Sequence, residues 1–569
     1  MPLSVVVQAS FATLCAGLVY GVFSAYNHRA RLARWQKQGV RLVPQWSWFF
    51  GHLTLMGKAT SRLPPDLNVL VLLSDLFEEK DDAKYYNHII DLWPMSDSVV
   101  NLVTPEPTTQ AFANHRFPKH SLVRKGMEVL TGGPNMLTMS ADEWKPWRGV
   151  FNPGFSSASI NAQIGAVVDR VEVFRSLLVE NAGKSAFPLG DLTSRLTADV
   201  IVKLTLQVSC GLDLNHQREE HRLIHAYNTI LRWHSFWDPR VLLNPARPFV
   251  QSYYGRVMDR IIQERLDDLF VEMRAKDTIE LKDSNINRSI AGLALQQYMK
   301  DNPEQSYGSP NAVLDPVFRQ YATYQVRLFL LAGNDTTSTT LMFIFHMLHK
   351  NPRCLQLMRE EHHRVFGTVD DEDTAGQIRS DPALLNKMRY TDAVVKETMR
   401  IYPAGGASRD GIPGATVTDE EGEVIPLDHC LVSTNQVALH NNPRFWPRPN
   451  EFLPERWLVE PGHELYPGNT AAWRPFEHGP RNCIGQTLVW AELRTVLALT
   501  ARTFTVTPAY EEWDAKRERE EGMFTRLLKS MGFANPVRTY KGERAYMTDS
   551  AASRPSEGYP CRVELTSPH

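Results

Sequence analysis

The chain has 569 residues, 43% of them hydrophobic, and its 62 basic and 64 acidic side chains leave a formal net charge of -2. That is an ordinary globular balance, and it excludes a global signal for nucleic-acid binding. After the first fifty residues no Gly/Ser linker, low-complexity tract or internal repeat divides the chain, so one large domain is expected.

The first predicted element is apolar. From Leu3 to Tyr26 there is no charged residue, and as a helix the stretch would span about 36 Å, enough for a bilayer core. His28, Arg29, Arg31, Arg34 and Lys37 follow it. That basic flank should stay cytosolic with the first residues luminal, which reads as a signal anchor. The competing readings are a buried core helix and a cleaved signal peptide; the long apolar run and the missing basic n-region argue against the latter. The expected layout is a luminal tip and anchor at 1-27, a basic linker at 28-50, and a cytosolic domain at 51-569. In "LVPQWSWFFGHL", Pro44 and Gly51 bracket an aromatic cluster that suits either a membrane surface or packing against the domain.

Within the domain, three- and four-residue apolar repeats dominate, so a mainly α fold with small β-sheets is expected. In "WKPWR", Trp144 stands four places before Arg148; alone, the tryptophan reads as core packing. Helices follow in "RLIHAYNTILRWHSF" and "GRVMDRIIQERLDDLFVEMRAK". The next, "LFLLAGNDTTSTTLMFIFHML", is an apolar helix interrupted at Gly333, Asn334, Asp335, Thr336 and Thr337. Buried polar groups there are costly unless paired or functional, although threonines can simply bond back to helix carbonyls.

In "KETMR", Glu397 and Arg400 lie three apart on one helix face and can pair. "EVIPL" and "CLVSTNQVAL" are the strand-like pieces, and "EEWDAKRERE" reads as a solvated loop or helix face. In "PFEHGPRNCIGQTLVW", Cys483 sits where a helix begins, so free N-H groups and the helix dipole can stabilise a thiolate. Gly485 would let backbone come close, Gly479 would allow a tight turn, and Arg481 offers a cation to an acidic ligand group.

Six cysteines at 15, 210, 354, 430, 483 and 561 show no metal-type or c-type haem spacing. Their spread suggests a reducing compartment, and only Cys483 has an informative local context.

Taken together, these stretches resemble the cytochromes P450. Phe476, Gly479, Arg481, Cys483 and Gly485 match the haem-binding signature F-x-x-G-x-R-x-C-x-G. Ala332 to Thr336 resembles the family's (A/G)-G-x-(D/E)-T, Glu397 and Arg400 its E-x-x-R, and Trp144 and Arg148 its W-x-x-x-R. The resemblance spans residues 144 to 485. Two departures stand out: "VPQWSW" lacks the multiple prolines usual after the anchor, and Ala404 stands where a second proline is common.

The resemblance implies a cytochrome P450 fold with an N-terminal transmembrane anchor helix, holding haem b on Cys483. Trp144, Arg148 and Arg409 would contact haem propionates. Ala332 and Gly333 would border the haem where the helix opens for dioxygen, with Thr336 and Asp335 assisting oxygen activation and proton relay. Glu397, Arg400 and Arg456 would brace the core. The implied reaction is monooxygenation with O2 as co-substrate.

No nucleotide-binding fingerprint is present, so electrons from NADPH would arrive through NADPH-cytochrome P450 reductase, with cytochrome b5 a further candidate donor. Arg474 and Arg481 are candidates for a docking face, Arg481 being the better propionate ligand. Segments at 105-138, in "RWHSFWDPRVLL" and at "AGGAS" would meet an apolar substrate. The general look resembles fungal microsomal enzymes of secondary metabolism, acting on polyketides or terpenoids at the endoplasmic reticulum membrane. The alternatives are a haem-thiolate isomerase or dehydratase needing no reductase, which the Asp335-Thr336 pair argues against, and a non-catalytic haem-binding sensor or carrier.

Overall fold

A computed structural model describes residues 3-77, 81-113, 117-140, 142-207, 217-235, 239-275, 289-303, 313-367, 371-523, 537-549 and 551-566; side chains of 3-9, 239-240, 275 and 371-372 lie outside that description. The elements that position the site are α1 (Leu3–Lys37), β1 (His88–Ile90), β2 (Ser98–Leu102), α2 (Trp144–Phe151), α3 (Leu189–Leu206), α4 (Pro316–Lys350), α5 (Arg389–Ile401), β3 (Ser408–Asp410), β4 (Cys430–Thr434) and α6 (Gln486–Thr500). As the sequence periodicity predicts, helices dominate and sheets are small.

The first sheet runs β1-β2-β4-β3, with β2 and β4 parallel and the outer pairs antiparallel. A second joins Phe187–Pro188, Pro560–Leu565 and Phe504–Pro508. "EVIPL" supplies the strand Val424–Pro426, and "EEWDAKRERE" lies in the helix Tyr510–Glu520.

The longest core helix, α4, begins cleanly. Asp315 caps it by accepting the Phe318 N-H, and Pro316 occupies a position where no N-H is needed. From Phe318 to Leu348 most of its side chains are buried, and it lies along α3. Gly333 permits that approach: a Cβ there would come 3.0 Å from Ile201 Cγ1 on α3. Polar ties add to the contact, Thr197 Oγ1 donating to Asn334 Oδ1 at 2.7 Å and Thr193 Oγ1 meeting Ser338 Oγ at 2.8 Å. The helix is continuous through Ala332 to Thr337, so the opening expected there is absent. Thr336 Oγ1 instead donates to Ala332 O at 2.7 Å.

α1 is one unbroken helix, and the first ten residues of the expected basic linker, 28-37, are its last turns, while 38-50 follow it. Arg29, Leu32 and Trp35 are buried against the domain. Asp91, at the end of β1, organises the junction: its carboxylate accepts from Arg29, from Trp46 Nε1 at 2.8 Å, and meets His28 Nε2 at 2.9 Å. Burial holds the His28 imidazole down at about 4, so Arg29 is the cation of this pair. Further up, Phe11, Leu14, Leu18, Val19, Val22 and Phe23 are exposed. Among the described residues no helix is long and apolar enough to cross a membrane; Val5, Val6 and Val7 lie outside the described side chains. In the aromatic strip, Trp46 and Trp48 meet edge to face while Phe49 is 83% exposed, so it packs only in part.

Candidate haem-thiolate site

Cys483 ends a tight loop whose path its glycines and backbone bonds dictate. Gly479 has φ +86°, and a Cβ there would approach Ala113 Cα to 3.0 Å, so glycine is required on both counts. The Cys483 N-H donates to Phe476 O at 2.9 Å, closing the loop. Gly485 then precedes α6 with φ −82°, and a Cβ would meet only Cys483 Sγ at 3.9 Å. The close backbone approach expected at Gly485 is therefore not imposed by protein atoms.

The N-H groups of Gly485 and Gln486 point at the thiol, and Arg148 adds a favourable charge. Cys483 is exposed, yet the protein packed around its sulfur outweighs these groups and raises the thiol above its ordinary value. A thiolate here needs a directly bound cation, which deprotonates a coordinating thiol outright.

The arginines divide into two groups. Arg148 turns to the cysteine loop: Nη1 donates to Asn482 O at 2.8 Å, Nη2 to Asn482 Oδ1 at 3.0 Å, and Nε to Asn152 Oδ1. With Asn482, Cys483, Gln486, Trp490 and Arg494 it lines a cavity of about 480 Å³. Its fork is thus engaged away from the propionate role that the resemblance implies.

Arg481 and Arg409 form the other group, together with Lys119, which local sequence gave no reason to single out. Arg481 Nη2 donates to Met136 O and Met139 O, both at 2.8 Å, and its guanidinium lies 5.0 Å from the centre of the Trp144 ring. Met136 in turn donates its N-H to Gln325 on α4 at 2.8 Å, tying the loop to the helix of Ala332 and Thr336. Burial brings Arg409 and Arg481 down to about 10. Burial, then the two arginines, holds Lys119 well below the usual lysine range, and Glu477 is the acid that opposes this.

Two buried donors in this group, Trp144 Nε1 and Arg409 Nε, have no partner among the described residues. Converging cations and unfilled donors suit an acidic ligand carrying carboxylates, and Cys483 supplies a soft metal donor two residues from Arg481. The residues therefore fit haem b.

On α4, Ala332 is exposed and Gly333 and Thr336 are half-exposed, whereas Asp335 is buried. No hydrogen bond joins Asp335 to Thr336. The carboxylate binds Arg554 and the Ala552 N-H, partners that local spacing could not reveal.

Glu397, Arg400 and Arg456 do assemble. All three are buried; Arg400 donates Nη2 to Glu397 Oε1 at 3.0 Å, and Arg456 Nε reaches the same oxygen at 3.0 Å. Trp457 Nε1 and the Leu453 N-H complete the carboxylate's shell. Arg474, considered for a docking face, is buried on Glu477 and Thr109, so it is not a surface cation. All described cysteines are free, and Cys210 lies outside the described residues. So do Phe236 to Asp238 of the expected substrate segment.

The family description "Cytochrome P450" matches residues 64–531. The chain is 34% identical over 567 residues to "Cytochrome P450 monooxygenase polC" of Polytolypa hystricis, covering 98% of this chain and 95% of that protein. It is 31% identical to "Cytochrome P450 monooxygenase acrF" of Aspergillus aculeatus, covering 88% and 98%. Among solved structures, the heme domain of cytochrome P450DA superposes with TM-score 0.64 at 17% identity, over 93% of this chain and 97% of that one.

Proposed function

The chain belongs to the cytochrome P450 family, and from that premise we propose that it inserts one atom of O2 into an apolar organic molecule in secondary-metabolite biosynthesis, a polyketide or terpenoid. Its relatives make it an oxidoreductase of the monooxygenase type. The observation that carries the reading is the placement of the Cys483 thiol beside the cationic group of Arg481, Arg409 and Lys119, with the unpartnered Trp144 Nε1 among them. Haem bound there supplies dioxygen binding and its reductive activation.

The protein's share is positional. Cys483 would hold the metal, with the Gly485 and Gln486 N-H groups directed at its sulfur. Arg481, Arg409, Lys119 and Trp144 would hold the carboxylates, and the Ala332-Gly333 face of α4 would admit small ligands. Thr336 Oγ1, now bonded to Ala332 O, is the hydroxyl that can rotate to hold a proton at the site.

Electrons are to come from NADPH through NADPH-cytochrome P450 reductase, with cytochrome b5 as an auxiliary. We assign residues 1-27 as a single-pass anchor in the endoplasmic reticulum membrane, 28-50 as its connection and 51-569 as the cytosolic domain. The exposed apolar side chains of α1 support this assignment.

Turnover assayed with and without NADPH and reductase tests the reading: product should require both, and equal product without electrons would mean isomerase or dehydratase chemistry. Thr336→Ala should divert a large share of NADPH electrons to hydrogen peroxide, measured as peroxide per NADPH; coupling as tight as in the unmodified protein would remove Thr336 from its role.

A further inference from the structure

Glu477 is a carboxylate set among the cations of the haem site. It stands one residue after Phe476, whose carbonyl receives the Cys483 N-H. Its φ is +54°, in the left-handed region that residues with a side chain rarely adopt. Such strain persists only where the surroundings over-determine it, and it clusters at functional sites. The loop keeps a glutamate where a glycine would sit unstrained.

Three elements hold this carboxylate, and only 16% of the side chain is exposed. Arg474 Nε, in the same loop, donates to Oε2 at 3.0 Å. Thr434 Oγ1, at the end of β4, donates to Oε1 at 3.2 Å, and Gln436 Nε2, on the helix Gln436–His440, reaches the same oxygen at 3.3 Å. The Thr434 hydroxyl in turn accepts the Ala407 N-H at 3.0 Å, beside the strand β3 that carries Arg409.

The field of Glu477 reaches further than its bonds. Against burial, it favours the charged forms of Arg409 and Lys119. Arg474 is 1% exposed, and its Nη2 has no partner among the described residues, so Glu477 does not exhaust it. Arg409, Arg474 and Arg481 bring three guanidinium charges here; Glu477 offsets one, and the two carboxylates of haem b would offset the others. A fixed anion therefore lies beside the place where two more are to bind. Like charges held close repel, and more strongly where water is excluded.

We propose that Glu477 sets the charge of the haem site, competing with the haem carboxylates for Arg409 and Lys119 and opposing the one-electron reduction of the iron. The proposal rests on the reading that haem binds at Cys483. Reduction by an electron from the reductase makes the site more negative, and a fixed carboxylate nearby disfavours that change. A residue that only braced Arg474 would act differently, because its loss would loosen the loop and the haem together.

The test uses the full-length holoprotein with Glu477→Gln, Glu477→Gly and Glu477→Asp. In a spectroelectrochemical titration without substrate, Glu477→Gln should move the one-electron equilibrium about tenfold toward the reduced form, a rise of about 59 mV. Glu477→Gly, which meets the left-handed backbone without strain, removes the same charge and should give a rise of the same sign even where the glutamine protein is not recovered. Glu477→Asp keeps the charge and should return the potential toward that of the unmodified protein. Haem transfer to excess apomyoglobin should slow several-fold in Glu477→Gln, because the competing anion is gone.

A potential that is unchanged or lower in Glu477→Gln and Glu477→Gly overturns the proposal, and so does a rise that Glu477→Asp shares in full. Faster haem loss from Glu477→Gln also overturns it, by marking the carboxylate as a brace for Arg474. Absence of the thiolate-haem signature from the purified unmodified protein would instead strike the haem reading, and is seen before any substitution is made.

Discussion

Cys483→Ala is expected to abolish the thiolate-haem signature of the reduced, CO-bound spectrum and all turnover with it. The reason is local and specific to this sulfur. Among the described cysteines only Cys483 combines a loop closed on Phe476 O, two helix-start N-H groups and the nearby Arg148. Burial pushes the thiols of Cys430 and Cys561 up to about 12; Arg31 opposes this at Cys430, where Asp97 and Asp428 add to the rise, and only the Leu189 N-H opposes it at Cys561. Cys430→Ala and Cys561→Ala should therefore keep the signature. A Cys483→Ala protein whose spectrum is unchanged would show that another residue is the ligand.

The second large effect is expected far from the thiol. Glu397→Ala should cost about 3–5 kcal/mol of stability, the usual consequence of leaving buried charges without their partner. Glu397 takes Arg400 through both oxygens, Arg456 through one, and also Trp457 Nε1 and the Leu453 N-H. Removing it strands two buried guanidinium groups and a half-buried indole N-H at once. The remaining ties of Arg400 to His440 O and of Arg456 to Pro447 O carry no compensating charge. Denaturant unfolding measures this, as a lower midpoint at unchanged slope; a midpoint equal to that of the parent protein would mean the cluster is not holding the core.

How far such features could be read from sequence depended on whether the partners were near in sequence. The helices around Asp335, Glu397 and Cys483 followed from apolar spacing, and Glu397 with Arg400 followed from one helix face. Arg456 joined them only by resemblance, since 59 residues separate it from Glu397. Chain separation hid the rest. Asp335 looked like an acid beside an alcohol because the two are adjacent in sequence, but its partner Arg554 lies 219 residues on.

Arg474 looked like a surface cation in a loop, and packing against Thr109 buried it. Lys119 acquires meaning only when the fold brings Arg409 and Arg481 beside it. Gly333 is needed for contact with Ile201, a reason no motif states. Asp91 is equally silent in sequence, and it is what fastens His28 and Arg29 of α1 to the domain.

The central claim is that this chain places an oxygen atom from O2 into an organic substrate at the Cys483 site. A compound that shifts the spin state of the purified protein should be turned over with reductase and NADPH under ¹⁸O2, and the product analysed by mass. One ¹⁸O atom per oxidation, absent in Cys483→Ala, is the predicted result; product forming without NADPH and carrying no label would contradict it.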